Sequence, residues 1–141
     1  MPVFHSPGAA QERGGRRRIA VAEDDHEMRR VVADALRKAG HDVVEACDGP
    51  SLTTLLARAS TQARFPDVEL DLIVTDVRMP GGNGLEIVET LLATACPTPI
   101  IVMTAFGDHE TRRRAERLGV TLLEKPFRMD ALMQTVRRLL V

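Results

Sequence analysis

Five side chains with reactive or metal-binding groups follow short apolar runs of this 141-residue sequence. They are Glu23, Asp24, Asp76, Thr104 and Lys125. Clustered carboxylates repel one another and raise each other's pKa unless a cation joins them. A few oxygen ligands at one place suit Mg²⁺ with several waters retained. A site with a carboxylate nucleophile, a metal, an ammonium and a hydroxyl is equipped for phosphoryl transfer, here onto Asp76.

The elements that must position these groups alternate between apolar runs and amphipathic stretches. Five runs predict β-strands at 19–22, 42–46, 70–76, 100–103 and 121–124. Five stretches with apolar residues at helical spacing predict helices at 28–39, 52–63, 85–95, 108–118 and 129–140. Gly40 and Gly119 are the predicted C-caps of the first and fourth helices.

The predicted fold class is α/β, because strands joined by helices form a parallel sheet with right-handed crossovers. We expect a doubly wound, flavodoxin-like sheet of five strands in the order 2-1-3-4-5, with five helices. In that order the first and third strands are neighbours at the switch point, where open α/β folds place their ligands. Glu23 and Asp24 therefore converge on Asp76. Pro80 and three nearby glycines predict a turn after Asp76 rather than continued sheet.

Composition restricts the classes of partner. Hydrophobic residues are 44% of the chain, charged residues 28%, and the formal net charge is −1, as is ordinary for one globular domain. This balance gives no support to non-specific nucleic-acid binding. The sequence has no Trp or Tyr, so it offers few stacking platforms for single-stranded nucleic acid. We therefore expect no direct contact with nucleic acid.

The remaining features predict a cytoplasmic protein with no membrane partner. Cys47 and Cys96 lie far apart and are predicted to be reduced, buried thiols. The longest apolar run is far short of a membrane span. Three arginines at 16–18 follow the apolar residues of the N-terminus rather than precede them, which is not the pattern of a signal peptide. Residues 1–17 are predicted to be a disordered tail, and 18–141 one domain.

Five short segments, in order, resemble one protein family. They are 21–25, 75–80, 84–86, 103–105 and 125–127, which read VAEDD, TDVRMP, GLE, MTA and KPF. Through them the chain resembles the CheY-like receiver domains of two-component response regulators across residues 18–141. The resemblance implies a module that takes a phosphoryl group from a phosphohistidine onto Asp76 and so switches a protein-interaction face. It implies no enzymatic activity beyond self-catalysed phosphotransfer and autodephosphorylation.

The resemblance also implies a set of metal ligands. When residues 28–30 of the first helix are aligned with the family, its acidic pair falls on Glu23 and Asp24. Asp25 is then left at the start of the helix. Asp24 and Asp76 are then direct Mg²⁺ ligands and Glu23 is a ligand through water. Arg78 is implied as a ligand through its backbone carbonyl.

Partners and the remaining site residues follow from the same resemblance. Thr104 and Lys125 are implied to contact the phosphoryl group, with a cis bond between Lys125 and Pro126. The implied phosphoryl donor is a histidine kinase or a histidine phosphotransfer protein in a bacterial cytoplasm. The downstream target is not identified by the sequence. A homodimer through the fourth helix, fifth strand and fifth helix is a further implied contact.

Three features depart from the family pattern. Leu122 stands where the family usually has an aromatic residue, three positions before the active-site lysine. The connection 119–125 is one residue shorter than usual, and the segment 49–76 is a few residues longer. None of these differences touches the predicted phosphorylation site.

The lifetime of the phosphoryl group also has a sequence-based expectation. By the resemblance, Arg78 and Phe106 border the path of the water that would hydrolyse the acyl phosphate. Neither side chain can act as a base, because Arg stays protonated and Phe has no polar atom. We therefore expect slow self-dephosphorylation.

Other functions fit the sequence less well. A flavodoxin needs a Ser/Thr/Gly-rich phosphate loop after the first strand, where this chain has the acidic run 23–25. A phosphatase of the haloacid dehalogenase type has an Asp nucleophile and a second Asp two residues later, where Arg78 stands. That phosphatase and a receiver-fold interaction module that phosphate does not switch remain the alternatives. A stand-alone regulator, a phosphorelay shuttle and the receiver of a longer protein are all compatible with the sequence.

Overall fold

A parallel sheet with helices on both faces forms the fold. A computed structural model describes residues 16–59, 69–92, 98–105 and 108–141. Most of the predicted tail lies outside this described part, as do Cys96, Phe106 and the predicted ends of the second and third helices. Among the helices of the described ranges, none has both the length and the hydropathy that a membrane span requires.

Strands and helices alternate along the described chain. The strands are β1 Arg18–Ala22, β2 Asp42–Ala46, β3 Leu72–Asp76, β4 Arg78–Met79, β5 Gly82–Asn83, β6 Ile100–Ala105 and β7 Thr121–Lys125. The helices are α1 His26–Lys38, α2 Gly49–Ala59, α3 Gly84–Leu92, α4 His109–Leu118 and α5 Met129–Leu139.

One five-stranded sheet carries the architecture. Its order is β2-β1-β3-β6-β7, and every neighbouring pair in it is parallel. Because β6 and β7 are the fourth and fifth predicted strands, the predicted order 2-1-3-4-5 and the doubly wound fold are confirmed. β1 pairs with β3 from Ile19 opposite Leu72 to Ala22 opposite Thr75. The carboxyl ends of these two strands therefore reach the same edge of the sheet.

Alternate residues of the central strands pack into two apolar clusters, one on each face of the sheet. In β1, Ile19 and Val21 belong to the cluster that contains residues of α1 and α5. Ala20 and Ala22 belong to the cluster that contains residues of α2 and α3. β3 is buried along its whole length, as expected of a parallel strand covered on both faces. A shift of one residue would exchange the faces, so this packing excludes such a shift.

A short hairpin follows Asp76, where the sequence predicted only a turn. β4 and β5 pair antiparallel, Arg78 with Asn83 and Met79 with Gly82. The turn between them contains Gly81 at φ 77°, a conformation that glycine adopts without steric cost. Strands of two residues carry no apolar periodicity, which is why no sequence pattern predicted them.

Of the two predicted C-caps, one is confirmed and the other lies one residue away. Gly119 caps α4 in the left-handed conformation, as predicted. The C-cap of α1 is Ala39, and Gly40, predicted at that place, is the next residue, at φ 95°.

Cys47 was predicted to be buried, but it is exposed and free. The reason is that Cys47 follows the end of β2, where the chain has left the sheet.

Gly84 brings the start of α3 close to the end of β3. A Cβ at this position would clash with the carbonyl oxygen of Asp76 and lie 2.6 Å from Thr75 Oγ1. The amide of Gly84 donates to the carbonyl of Val77 at 2.8 Å. The missing side chain therefore sets how closely the helix approaches the residue that ends the strand.

We expect Gly84→Ala to lower the free energy of unfolding by about 3 kcal/mol, the upper end of the usual cost of overpacking. The physical reason is that the added Cβ meets backbone rather than a flexible side chain. Urea unfolding measures the loss. Gly40→Ala is the control, since a Cβ there meets nothing within 4 Å and adds only left-handed backbone strain, about 1 kcal/mol. Equal losses in the two variants would contradict the steric role of Gly84.

Candidate functional site

Acidic and basic groups from three strands meet at the carboxyl edge of the sheet. Carboxylate oxygens of Glu23, Asp24 and Asp76 lie within 4.8 Å of one another. The ammonium of Lys125, at the end of β7, is 2.7 Å from Glu23 Oε1 and 3.3 Å from Asp76 Oδ2. The structure thus brings four of the predicted site residues into one cluster.

Glu23 is the buried member of the acidic pair, with 1% of its surface exposed. Its Oε1 accepts from Lys125 Nζ, and its Oε2 accepts from the amide of Asp25 at 3.2 Å. The Glu23 amide donates to the carbonyl of Ala46 at 3.0 Å, which extends the pairing of β1 with β2 beyond the end of β1. Because both carboxylate oxygens have protein donors, Glu23 is better suited to indirect than to direct contact with a metal ion.

Asp24 and Asp25 have different surroundings although they are adjacent. Asp25 is the N-cap of α1, and its Oδ1 accepts from the amide of Met28 at 2.9 Å. This confirms the predicted place of Asp25 at the helix start. Asp24 is exposed, and its carboxylate belongs to the acidic cluster. The carboxylate of Asp24 is therefore accessible to a ligand from solvent.

Asp76 ends β3 with a carboxylate that is nearly covered, since 8% of the residue is exposed. Its Oδ1 accepts from the amide of Val77 at 2.9 Å, while Oδ2 faces Lys125. The hydroxyl of Thr75 donates to the carbonyl of Asp76 at 2.9 Å. The carboxylate and the backbone that carries it are both fixed before any ligand arrives.

Lys125 supplies the positive charge of the cluster. Burial alone would lower the pKa of its ammonium, but the hydrogen bond to Glu23 and the charges of Asp76 and Glu23 outweigh burial. The pKa of Lys125 is therefore raised above its usual value of 10.5. The bond from Lys125 to Pro126 is cis, as the resemblance implied.

A surface cavity lies beside the ammonium of Lys125. Its volume is about 480 Å³. The residues that line it come from the start of α1, the end of β6, the end of β7 and the segment after β7, and they are Asp25, Met28, Ala105, Lys125, Pro126 and Phe127. Apart from Asp25 and Lys125 the residues that line it are apolar, so the cavity offers an apolar surface beside one side of the cluster.

Thr104 and Arg78 meet at a residue that the sequence had predicted only as the start of a helix. The buried Thr104 donates its hydroxyl to Asp108 Oδ2 at 3.4 Å, and Arg78 Nη2 lies 3.7 Å from the same oxygen. Asp108 is the N-cap of α4. Hydrogen bonds from the hydroxyl and amide of Thr111 hold the pKa of the Asp108 carboxyl below its ordinary value. Asp108 therefore joins two site residues to the start of a helix.

Two further positions of the prediction can be located. Arg78 begins β4 with a side chain that is 81% exposed. The implied role of its carbonyl as a metal ligand stays a prediction. Leu122 is partly buried and packs against the apolar cluster on the face of α2 and α3. At the position where the family usually has an aromatic switch residue, this chain therefore has an aliphatic side chain that packs against the core.

The donor set of the cluster fits Mg²⁺. The three groups are carboxylates, the hard oxygen ligands that this ion prefers, and their small number leaves room for water in the coordination shell. Three carboxylates are balanced by a single ammonium, so a divalent cation would relieve the remaining repulsion. The chemistry of the site therefore agrees with the predicted cofactor.

The chain matches known proteins along most of its length. Residues 19–137 match the family described as response regulator receiver domain. The transcriptional regulatory protein FixJ of Bradyrhizobium diazoefficiens is 36% identical over 115 residues, which are 81% of this chain and 52% of that protein. The DNA-binding transcriptional regulator NtrC of Azospirillum brasilense is 35% identical over 123 residues, which are 86% of this chain and 24% of that protein. This chain thus spans about half of one relative and about a quarter of the other.

A solved structure shares the fold over nearly the whole of both chains. The receiver domain of the Francisella response regulator 1452 is similar with a TM-score of 0.75 and 26% sequence identity. The match covers 88% of this chain and 96% of that domain. The likeness is therefore to a receiver domain as a complete unit.

We expect Lys125→Gln to lower the free energy of unfolding by about 1–2 kcal/mol near neutral pH, because a charged hydrogen bond to a buried carboxylate is lost and Lys125 is partly exposed. Since the folded-state pKa of Lys125 is raised, its contribution is complete below the unfolded value of 10.5 and is lost as pH rises through the folded value. The difference between wild type and variant should shrink in that alkaline range. Denaturant unfolding at neutral and alkaline pH measures it.

Lys38→Gln is the matched control for this prediction. Lys38 is the only other lysine of the sequence, and it is exposed in the last turn of α1. Its replacement should leave the stability near the wild-type value. A similar loss in both variants, or a difference that persists at alkaline pH, would show that the Lys125 ion pairs do not stabilise the fold.

Proposed function

The chain belongs to the response regulator receiver domain family, and we propose that it accepts a phosphoryl group on Asp76 from a phosphohistidine of a partner protein. Response regulators receive phosphate from histidine kinases. The observation that carries the proposal is the position of the Asp76 carboxylate. It lies 3.3 Å from the ammonium of Lys125 and within 4.8 Å of the oxygens of Glu23 and Asp24.

In the proposed step an oxygen of Asp76 attacks phosphorus and forms a P–O bond while the P–N bond to the donor breaks. The electron pair of the broken bond stays on the imidazole. The amide of Val77 donates to Oδ1 and leaves Oδ2 as the attacking oxygen. The transition state spreads negative charge over the transferring oxygens. Lys125 already faces Oδ2, so it stabilises that charge without reorganisation.

The acidic residues are proposed to hold the cofactor. Mg²⁺, when bound, neutralises the oxygens of the transferring group. Asp24, Asp76 and the carbonyl of Arg78 would hold the ion directly. The two protein donors on the Glu23 carboxylate support a role through water for that residue. Receiver domains bind Mg²⁺ at an acidic pocket, and the described residues include such a cluster.

The donor imidazole is proposed to enter through the cavity of about 480 Å³ beside Lys125. Apolar side chains of Met28, Pro126 and Phe127 line this cavity and can cover the face of an aromatic ring. Lys125 also lines the cavity, and its ammonium is 3.3 Å from Asp76 Oδ2. A histidine kinase or a histidine phosphotransfer protein can present such a side chain.

The proposed switch passes through Asp108. Before phosphorylation, the hydroxyl of Thr104 and the guanidinium of Arg78 both face this carboxylate. A phosphoryl group on Asp76 carries more negative charge and more acceptor oxygens than a carboxylate. We propose that both groups turn toward it, so that Asp108 loses two partners and the start of α4 is released. The face formed by α4, β7 and α5 would then change its contacts with a target or a second copy of the chain.

We predict that Asp76 is the sole phosphoacceptor. After incubation with acetyl phosphate and Mg²⁺, intact-mass measurement should find one added phosphoryl group on the wild type and none on Asp76→Asn. Asp34→Asn is the control, because Asp34 is an exposed carboxylate on α1, and this variant should be phosphorylated as the wild type is. An adduct on Asp76→Asn at wild-type extent would falsify the assignment. Continuous release of phosphate with no accumulated adduct would favour the phosphatase alternative.

We expect Arg78 to prolong the lifetime of the acyl phosphate. A guanidinium hydrogen bond to the phosphoryl oxygens contributes about 1 kcal/mol, so Arg78→Asn should lose the phosphoryl group about fivefold faster. The measurement is the decay of the phosphorylated fraction after the donor is removed. Arg138→Asn, an exposed position on α5, serves as control and should decay at the wild-type rate. If the phosphorylated fraction of Arg78→Asn decays at the wild-type rate, Arg78 does not affect the lifetime of the acyl phosphate.

A further inference from the structure

Arg29 connects three parts of the structure next to the acidic cluster. From the first turn of α1, its Nη1 donates to the carbonyl oxygen of Glu23 at 2.9 Å. Its Nε donates to Glu45 Oε1 of β2 at 3.2 Å, and its Nη2 lies 3.1 Å from His26 Nδ1. Only 15% of the side chain is exposed. A guanidinium held by three partners has little freedom, so it can fix the groups that it contacts.

The carbonyl that Arg29 holds belongs to the peptide bond between Glu23 and Asp24. Asp24 is exposed, so the position of its carboxylate depends on the backbone rather than on side-chain packing. Hydrogen bonds from the amide of Asp25 to Glu23 Oε2 and from the amide of Arg29 to the carbonyl of Asp25 close the rest of this loop. The contact from Nη1 fixes the remaining freedom, which is the rotation of the peptide that carries Asp24.

We propose that Arg29 is a positioning residue. It holds the backbone of residues 23–25 in the position in which Asp24 can bind a divalent cation, and Glu45 of β2 holds Arg29 in place. This inference rests on the proposed function, because it needs the acidic cluster to bind Mg²⁺. Replacing a residue that orients a metal ligand commonly lowers the affinity for the metal about 10- to 100-fold. Here the oriented group is a backbone carbonyl next to the exposed ligand Asp24.

The sign of the effect separates positioning from electrostatics. A guanidinium near a cation site repels the cation, so its removal would by charge alone strengthen Mg²⁺ binding. If Arg29 positions the loop, its removal weakens binding instead. Arg37 provides a matched control, since its Nη2 donates to Glu45 Oε2 at 3.0 Å and its other contacts are with Val43 and Asp34. Arg29→Gln and Arg37→Gln remove the same charge, but only the first removes the bond to Glu23.

The test is a calorimetric titration of the unphosphorylated full chain with Mg²⁺. We expect Arg29→Gln to raise the dissociation constant about tenfold, as the loss of a group that orients metal ligands commonly does. Arg37→Gln should bind as tightly as the wild type or slightly more tightly. Thermal unfolding without Mg²⁺ records the stability cost of each variant separately. A merely structural role of Arg29 would lower the unfolding temperature and leave the dissociation constant unchanged.

Wild-type or tighter binding by Arg29→Gln overturns the inference, and so does an equal weakening in Arg37→Gln. If Arg29→Gln does not fold, Arg29→Lys takes its place. Lysine keeps the charge, but its single ammonium cannot reproduce the planar set of contacts, so weaker binding is again expected and wild-type binding overturns the inference. Absence of Mg²⁺ binding by the wild type would refute the proposed function itself, and the positioning role with it.

Discussion

Mutual repulsion among the carboxylates at the carboxyl edge of the sheet is the constraint on which the rest of the structure depends. Two like charges 4 Å apart cost on the order of 4 kcal/mol at the effective dielectric of a protein surface. Lys125 offsets this cost by contacting Glu23 at 2.7 Å and Asp76 at 3.3 Å. It thereby ties β7, at one border of the sheet, to β1 and β3. The negative charge that remains would favour the binding of a divalent cation there.

The register of the parallel strands determines which groups can meet at that edge. Ala22 lies opposite Thr75, so the residue after β1 is level with Asp76. On the other side Asp76 lies opposite Met103, and Thr104 is the next residue. A slip of two residues would keep every apolar side chain on its face but would move one strand by about 7 Å. Contacts of 2.7 to 3.3 Å do not survive such a displacement. The apolar clusters therefore exclude a slip of one residue, and the contacts of the site exclude a slip of two.

The parts of the site that the sequence predicts are those encoded locally. A short apolar run that closes on a charged residue indicates a strand end, and the alternation of strands and helices then places those ends at one edge. Contacts that depend on side-chain direction after a turn have no such signal. The pairing of Thr104 and Arg78 with Asp108 is one case, since a cap residue is usual at that place whether or not it faces the site. The bond from Arg29 to the carbonyl of Glu23 is another, because an arginine in the first turn of a helix is usually solvated.

α4 is secured weakly by apolar packing, which is consistent with the proposed response of this helix to the site. Only two of its ten residues, Thr111 and Ala115, are buried. Its side chains Arg114 and Arg112 form ion pairs to α3 and β7, and such partly exposed pairs contribute about 0–1 kcal/mol each. An N-cap contributes about 1 kcal/mol, which is comparable to each of these attachments. The energy of the Asp108 cap is therefore large enough for the proposed switch to act through α4, although β7 has Leu122 in place of an aromatic residue.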